Sequence, residues 1–517
     1  MNFGEISRRN AQRYPNKTAL IFENSRYTFK QFNDRVNRLA NALSALNMSK
    51  GDKIAILSEG CNQYVEICCA AAKIGLVAAP INPSLPTQQI SYLINNADAT
   101  TLAVADEYKE VAASLKPELP VVKNFIVIGS PWGEMRSYEQ LISSYPAQEP
   151  HVEIDENELY YLACTSGTTG VPKQIMCTHR NLWADAVNNM LIFHLEHHDI
   201  ALQANPLHWG RMVPWLIEPY FYMGCTTVIT REPEVKLVLD AISKEKITVA
   251  LLSSSFIASI IEHPELDKCD LSSLRSIGLI GMHLPEEVLR KAIKKMGKIF
   301  CMMYGTTEIP FLTYMSPDEI VLEGPPEKLR RLHSCGRNAA PIDAEMRVID
   351  EEGRDIAPGE IGEVIGRGDH MMSGYWKMPQ ATEEVMRDGY FHTGDLATTD
   401  DEGYLYFLDR KKDSIISEGK LVPSIEVETI LYRHPSILEA AIIGVPDEKL
   451  GETLKAIVVL KEGEQATAEE IIGFCTQNLD NHAVPKSVDF INKLPRSPSG
   501  KVLKHQLRRD YGTPKTS

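Results

Sequence analysis

A chain of 517 residues is too long for one hydrophobic core and points to roughly two to four domains. Its 44% hydrophobic and 24% charged content is that of an ordinary soluble globular protein. A net charge of −15 excludes the basic footprint that nucleic acid or an anionic lipid surface requires, so any polyanionic ligand must be gripped by local donors. The ten cysteines show neither C-x-x-C spacing nor a disulfide or zinc pattern, and read as small buried hydrophobes in a reducing compartment. The start "MNFGEISRRNAQRYPNK" has no apolar signal core. The run "IGLVAAPI" (74–81) is far short of the ~20 residues a membrane span needs. A cytoplasmic protein without a membrane span is expected.

Along the chain, "TALIF" (18–22) has the pattern of a strand. In the helix that follows, Phe32, Val36, Leu39, Leu43 and Leu46 recur at three- and four-residue spacing, and Thr28 with Gln31 forms a capping box. "DKIAILS", "LVAAPIN", "TTLAVA", "NFIVIG", "TTVIT", "ITVALLS" and "SIGLIG" follow as strands between helical stretches. Such alternation predicts mostly parallel sheets covered by helices. After residue 330 the glycine turns of "GEIGEVIGRG" and "GYLYFLDRKKD" predict a smaller antiparallel sheet or barrel. A final βα-type segment holds the helix "SIEVETILYRHP" and the strand "EAAIIGV". The charged turn "LDRKKD" (408–413) is the expected hinge, giving domains 1–410 and 411–517. "HLEHHD" (194–199) reads as a surface loop rather than a metal site, and "KAIKKMGK" (291–298) as a solvated helix face.

Four segments carry candidate chemistry. In "TSGTTGVPK", Gly167 and Gly170 let backbone N–H groups turn toward an anion. Thr165, Ser166, Thr168 and Thr169 add hydroxyls, and Lys173 adds a charge. The spacing G-x-x-G-x-x-K is not that of a Walker loop, and alone the segment is as compatible with a surface turn as with a phosphate cradle. "MMYGTTEIP" (302–310) puts Tyr304, Gly305, Thr307 and Glu308 on one turn. "DGYFHTGDLATTDDEGYLYFLDRKKD" (388–413) presents Asp395, Arg410 and Lys412, and "LPRSPSGKVLKHQLR" (494–508) offers Lys501. Each, by itself, also reads as a turn, a hairpin or a solvated basic tail.

In this order and spacing, the segments resemble the AMP-forming acyl-CoA synthetases and their acyl-adenylate-forming relatives. "GRNAAPIDAEMRVID", "GEIGEV", "MSGYWKMPQAT" and "LGE" extend the resemblance from "KTALIF" to "PSGKVLK". It implies an α/β fold: a large N-terminal domain of two helix-covered β-sheets plus a small distorted β-barrel, and a small mobile α+β C-terminal domain. It implies a ligase that joins a carboxylate to ATP as acyl-AMP, releasing pyrophosphate, and passes the acyl group to a thiol, usually that of coenzyme A.

The roles it implies are as follows. The hydroxyl loop (Thr165, Ser166, Gly167, Thr168, Thr169, Lys173) holds the β- and γ-phosphates. Thr307 contacts the α-phosphate, and Glu308 ligates Mg2+ with Thr168. Tyr304, with Gly305, lies against adenine. Asp395 accepts both ribose hydroxyls and Arg410 supports them. Lys501 bridges carboxylate, α-phosphate and ribose during adenylation, Lys412 is the hinge, and Gly419 lines the CoA tunnel. Acyl-pocket candidates are His208, Trp209, Ser253, Ser254, Phe256, Met282, His283, Gly305, Ile309 and Phe311.

The sequence departs from the family pattern in places. Glu418 replaces a glycine beside Gly419, and Pro423 arrives one place early. Gln174 stands where glycine is usual, a change expected to be tolerated, and His482-Ala483 removes a basic residue. No cationic residue is clearly placed for a second carboxylate, which favours a cyclic, aromatic or short-to-medium aliphatic monocarboxylate. The expected partners are this small carboxylate, ATP and CoA, with self-association into a homo-oligomer left open. A carrier-protein phosphopantetheine acceptor is the alternative. A luciferase-like oxygenase is a weaker one. A non-catalytic nucleotide-binding protein is weaker still, because Glu308, Asp395, Arg410 and Lys501 are all present.

Overall fold

The structure, a computed structural model, describes residues 2–165, 172–281, 284–338, 344–447, 451–496 and 502–512. Every strand expected in the first 300 residues forms. Two eight-stranded sheets account for them. One runs in the spatial order Thr313–Met315, Phe300–Tyr304, Ser276–Ile280, Val249–Ser253, Ile200–Gln203, Thr226–Ile229, Thr18–Phe22, Ser25–Thr28. Its interior pairings are parallel and only the two edge pairs are antiparallel. The other runs Gly374–Tyr375, Gln174–Thr178, Leu159–Cys164, Val77–Ile81, Lys53–Leu57, Ala99–Ala105, Asn124–Ile128, Arg136–Ser137.

The apolar runs explain this arrangement. Val77–Ile81 is buried at all five positions, as a parallel strand covered on both faces must be. The helix Phe29–Ala45 shows the amphipathic logic of its sequence. Thr28 Oγ1 accepts from Gln31 N while Gln31 Oε1 accepts from Thr28 N, and Phe32, Val36, Leu39 and Leu43 are fully buried. Leu46 falls at the C-cap and is only half-buried. Phe32 meets Phe221 edge-on at 5.0 Å, and burying a side chain of that size is worth about 2–3 kcal/mol.

Between residues 344 and 410, short strands replace long ones. Ala344–Ile349, Gly362–Gly368, Met386–Arg387, Tyr390–Thr399 and Leu405–Arg410 form a five-stranded sheet, the smaller sheet expected after residue 330. The final sheet orders Lys420–Val422, Ile415–Ser417, Gly451–Leu460 and Ile437–Asp447, with Ser487–Phe490 pairing Gly451–Leu460. Its core includes Val427, Ile442, Leu454, Val458 and Ile471.

The chain divides into two compact units. The first comprises Met1–Thr165, Pro172–Met346 and Gly366–Phe391, and the second chiefly Arg347–Ile365 and His392–Ser517. No helix among the described residues is long and apolar enough to cross a membrane. The segment 194–199 is a loop, and no His/Cys/Asp/Glu group among the described residues could hold a metal by itself. Lys291, Lys294 and Lys295 line the exposed face of the helix Glu286–Met296, as read.

Candidate active site

Both candidate loops of the first unit leave the carboxyl ends of strands, where open α/β sheets place their ligands. At the end of Leu159–Cys164, Thr165 N donates to Lys173 O at 2.9 Å, and Lys173 N donates to Thr165 Oγ1 at 3.3 Å. The two ends of the hydroxyl-rich stretch are therefore clamped together. Ser166, Gly167, Thr168 and Thr169 lie outside the described residues. Next to the clamp, Gln174 is buried. Its amide oxygen accepts from Asn96 Nδ2 at 2.8 Å, which shows how a glycine-to-glutamine exchange is accommodated here.

The second loop follows Phe300–Tyr304. Thr306 N donates to Ile309 O and Leu312 N to Tyr304 O, both at 2.9 Å, closing a turn that carries Thr307 and Glu308. Gly305 is demanded by close approach: a Cβ there would lie 1.9 Å from Pro310 O. Ile309 is fully buried, and Phe311 packs against Trp215 with ring centroids 5.4 Å apart. Gly210, in the left-handed region at φ +51°, bridges to Cys164, and a Cβ on it would sit 3.1 Å from Thr307 Cγ2. The fold thus brings three segments together within one unit: the start of the hydroxyl loop, the 208–211 stretch that carries His208 and Trp209, and "GTTE".

Tyr375 ties the same motifs by their functional groups. Its hydroxyl donates to Glu308 Oε1 at 2.9 Å, and Lys173 Nζ lies 4.5 Å from its ring centroid. The other carboxylate oxygen of Glu308 is left as an acceptor. One carboxylate oxygen suits a hard cation that keeps water and phosphate oxygens as its other ligands, so Glu308 fits Mg2+.

Among the acyl-pocket candidates, His208 is buried with Nδ1 4.0 Å from Glu59 Oε2. Burial pushes the imidazole pKa down to about 4, so it is neutral at pH 7. Burial also raises the Glu59 carboxyl, which accepts from Tyr108 Oη at 3.1 Å. Trp209 and Phe256 are half-buried and Ser254 is buried. Ser253 Oγ caps the helix Ser254–Glu262 by accepting from Phe256 N. Met282 and His283 lie outside the described residues.

In the second unit, Asp395 and Arg410 are register partners on antiparallel strands, and Arg410 Nε stands 2.8 Å from Asp395 Oδ1. Thr393 Oγ1 accepts from Asp395 N at 3.0 Å and donates to Val364 O at 2.7 Å, fixing the backbone of the "TGD" turn. Lys412 is exposed in the turn after Leu405–Arg410, and partial desolvation by the surrounding chain lowers its ammonium pKa. Glu418 and Gly419 are the two turn residues of the hairpin Ile415–Ser417/Lys420–Val422, at φ +53° and +74°. Two positive φ values are what a tight two-residue hairpin requires, and a Cβ on Gly419 would meet no atom within 4 Å. The Glu418 carboxylate lies 3.9 Å from Lys486 Nζ. Pro423 is the N-cap of the helix Ser424–Leu431.

Lys501 lies outside the described residues. The chain on either side of it is paired, Arg496 with Val502 as a β-bridge and Leu503 N to Pro495 O at 2.8 Å. The helix Lys504–Tyr511 is held by Lys504–Glu428 and Arg508–Asp413 ion pairs, each at 2.8 Å. Sequence reasoning passed over Tyr375, which sits inside the quoted "MSGYWKMPQAT", and Arg211, which stands two places after the pocket candidate Trp209. Their aromatic and cationic side chains next to glycines were the available signal.

The chain belongs to the AMP-binding enzymes. The family's model matches residues 7–376, and the model of the AMP-binding enzyme C-terminal domain matches 426–501. Within that family it is an AMP-forming acid–thiol ligase of the acyl-CoA synthetase type. It is 32% identical over 505 residues to the feruloyl-CoA synthase of Amycolatopsis sp, covering 98% of each chain. It is 30% identical over 503 residues to the fatty acid–[acyl-carrier-protein] ligase ScoC of Streptomyces coeruleorubidus, covering 96% and 94%. The solved anthranilate CoA ligase AuaEII in complex with anthranoyl-AMP matches with a TM-score of 0.88 at 26% identity, covering 99% of this chain and 97% of that one.

Proposed function

We propose that this enzyme joins a monocarboxylic acid to coenzyme A in two steps, using residues 1–410 for adenylation and moving 411–517 between the steps. In the first, a carboxylate oxygen attacks the α-phosphorus of ATP, the bond to the β-phosphate oxygen breaks, and pyrophosphate leaves. In the second, the thiol sulfur of CoA attacks the acyl carbon, the bond to the AMP oxygen breaks, and the thiol proton passes to solvent. The first step brings two anions together, so positioning and charge neutralisation carry it.

The single observation behind this reading is the convergence of the clamped loop ends, Thr165 and Lys173, on the turn that carries Thr307 and Glu308. Mg2+, when bound, supplies positive charge to the phosphate oxygens, with Glu308 and Thr168 as its protein ligands. Thr307 donates to the α-phosphate, while Ser166, Gly167, Thr168, Thr169 and Lys173 hold the pyrophosphate portion. Tyr304 and Gly305 face adenine, Asp395 with Arg410 binds ribose, Lys501 aligns carboxylate and α-phosphate, Lys412 is the pivot, and Gly419 lines the thiol channel.

The acid is cyclic, aromatic or short-to-medium aliphatic. His208, Trp209, Ser254, Met282, His283 and Ile309 include no Lys or Arg for a second carboxylate, and the buried His208 is neutral at pH 7. The feruloyl and anthranilate specificities named for two similar proteins support an aromatic acid. Similarity to a carrier-protein ligase keeps a phosphopantetheine acceptor as the second reading. ATP–pyrophosphate exchange over a panel of acids tests the first step. Acid-dependent exchange that vanishes without Mg2+ supports the proposal, and its absence with every acid contradicts it.

A further inference from the structure

Three residues beyond His208, one buried cation faces the turn that carries the proposed α-phosphate and metal ligands. Arg211 is 2% exposed, and all five of its guanidinium N–H donors are used inside the chain. Nε and Nη2 donate to Thr307 O at 3.2 and 2.7 Å, and Nη2 also reaches Glu308 O at 3.1 Å. Nη1 donates to His370 O at 3.2 Å and to Asp185 Oδ2 at 2.7 Å. Asp185 is fully buried on the helix His179–Ile192 and is the counter-ion. One guanidinium therefore joins that helix, the "GTTE" turn and the segment leading to Tyr375.

We infer that Arg211, held by Asp185, is a positioning residue that sets the Thr307 hydroxyl and the Glu308 carboxylate for the adenylation step. The inference rests on assigning that step to this turn. Fixing two successive carbonyls fixes the peptide planes between them, and with those the directions in which both side chains leave the backbone. Glu308 is then held at two places: its carbonyl accepts from Arg211 and from Met372 N at 2.8 Å, and its carboxylate accepts from Tyr375. A buried ion pair is a poor way to add stability, since apolar residues of similar volume do as well or better. What a planar five-donor fork adds is orientation. A lysine ammonium cannot reproduce it.

The test uses the full chain with Arg211→Lys and with the double substitution Arg211→Met/Asp185→Leu, which leaves no uncompensated buried charge. Melting temperature, ATP–pyrophosphate exchange against Mg2+ concentration, and the KM for the carboxylic acid are read together. In the folded variants, exchange kcat is expected to fall roughly 10- to 100-fold, half-saturating Mg2+ to rise roughly tenfold, and the acid KM to stay within about twofold. Arg211→Lys is expected to recover melting temperature but not exchange. Exchange and Mg2+ dependence within about twofold of the parent in either folded variant would overturn the inference.

Should neither variant fold, Asp185→Asn is read by amide hydrogen exchange. Faster exchange is expected at Thr306, Ile309, Leu312 and Met372, confined to the turn and the 370–375 segment, and unchanged protection there overturns the inference. A parent protein that exchanges pyrophosphate with no acid sinks the functional reading instead. The amide arm still decides whether Arg211 orders the turn.

Discussion

The hydroxyl of Tyr375 donates a 2.9 Å hydrogen bond to Glu308 Oε1 while its ring carries the Lys173 ammonium 4.5 Å from its centroid. One side chain thus fixes the carboxylate proposed for Mg2+ and a cation proposed for the β- and γ-phosphates. Tyr375→Phe keeps the ring and loses the bond. Half-saturating Mg2+ in pyrophosphate exchange is expected to rise roughly 3- to 10-fold, the scale of one typical net hydrogen bond. Tyr375→Leu also removes the platform for Lys173, and is expected to raise the KM for ATP as well. Equal Mg2+ dependence in Tyr375→Phe and the parent would count against Glu308 as the metal ligand.

Gly305 has no room for a methyl group, because Pro310 O would stand 1.9 Å from it. Gly305→Ala must shift the turn backbone and with it Thr307 and Glu308. A stability loss of about 2 kcal/mol is expected in a denaturant titration, with exchange reduced roughly 100-fold or more.

Gly419 separates two explanations for one glycine. Its φ of +74° in a two-residue hairpin is a backbone reason, and the thiol channel is a functional one. Asparagine tolerates the left-handed region, so Gly419→Asn satisfies the turn and still adds a side chain. We expect it to retain pyrophosphate exchange and melting temperature while losing CoA-dependent turnover. Lys501→Ala should behave inversely, losing exchange but converting added acyl-adenylate to thioester. Normal CoA turnover in Gly419→Asn would leave only the backbone reason.

Stability should fall on the alkaline side. Glu218 is fully buried, with Tyr160 Oη donating to it at 2.7 Å and the Cys69 thiol 3.8 Å away, and burial pushes its pKa up to about 8. The unfolded carboxyl titrates near 4.3, so the folded state holds a proton that the unfolded state releases. That stabilisation is complete below the unfolded value and is lost as pH rises through about 8, on the order of a few kcal/mol in total. Denaturation midpoints between pH 5 and 9 should decline for the parent and stay flatter for Glu218→Gln.

Much of the fold was legible because its signals are local. Val77–Ile81 is a strand because five consecutive apolar residues sit in a covered sheet, and the Thr28–Gln31 box is written within four residues. The site was legible as separate motifs. What joins them was not, because it depends on partners distant in the chain. Arg211 bonds carbonyls 96, 97 and 159 residues away, and Tyr375 reaches Glu308 across 67. No periodicity or spacing encodes a side chain whose partners are backbone oxygens of another loop. Gly419 shows the reverse limit: the sequence suggested a channel residue, and only the dihedral angle revealed a conformational need for glycine.

The central claim is that acid activation ends in a CoA thioester. Purified enzyme should be incubated with ATP, Mg2+, CoA and a panel of aromatic, cyclic and aliphatic acids, with thioester and AMP quantified together. The account predicts equimolar acyl-CoA and AMP for one class of monocarboxylate, with turnover abolished in Lys501→Ala. Acid-dependent pyrophosphate exchange without any CoA thioester would contradict it and transfer the acceptor role to a carrier-protein thiol.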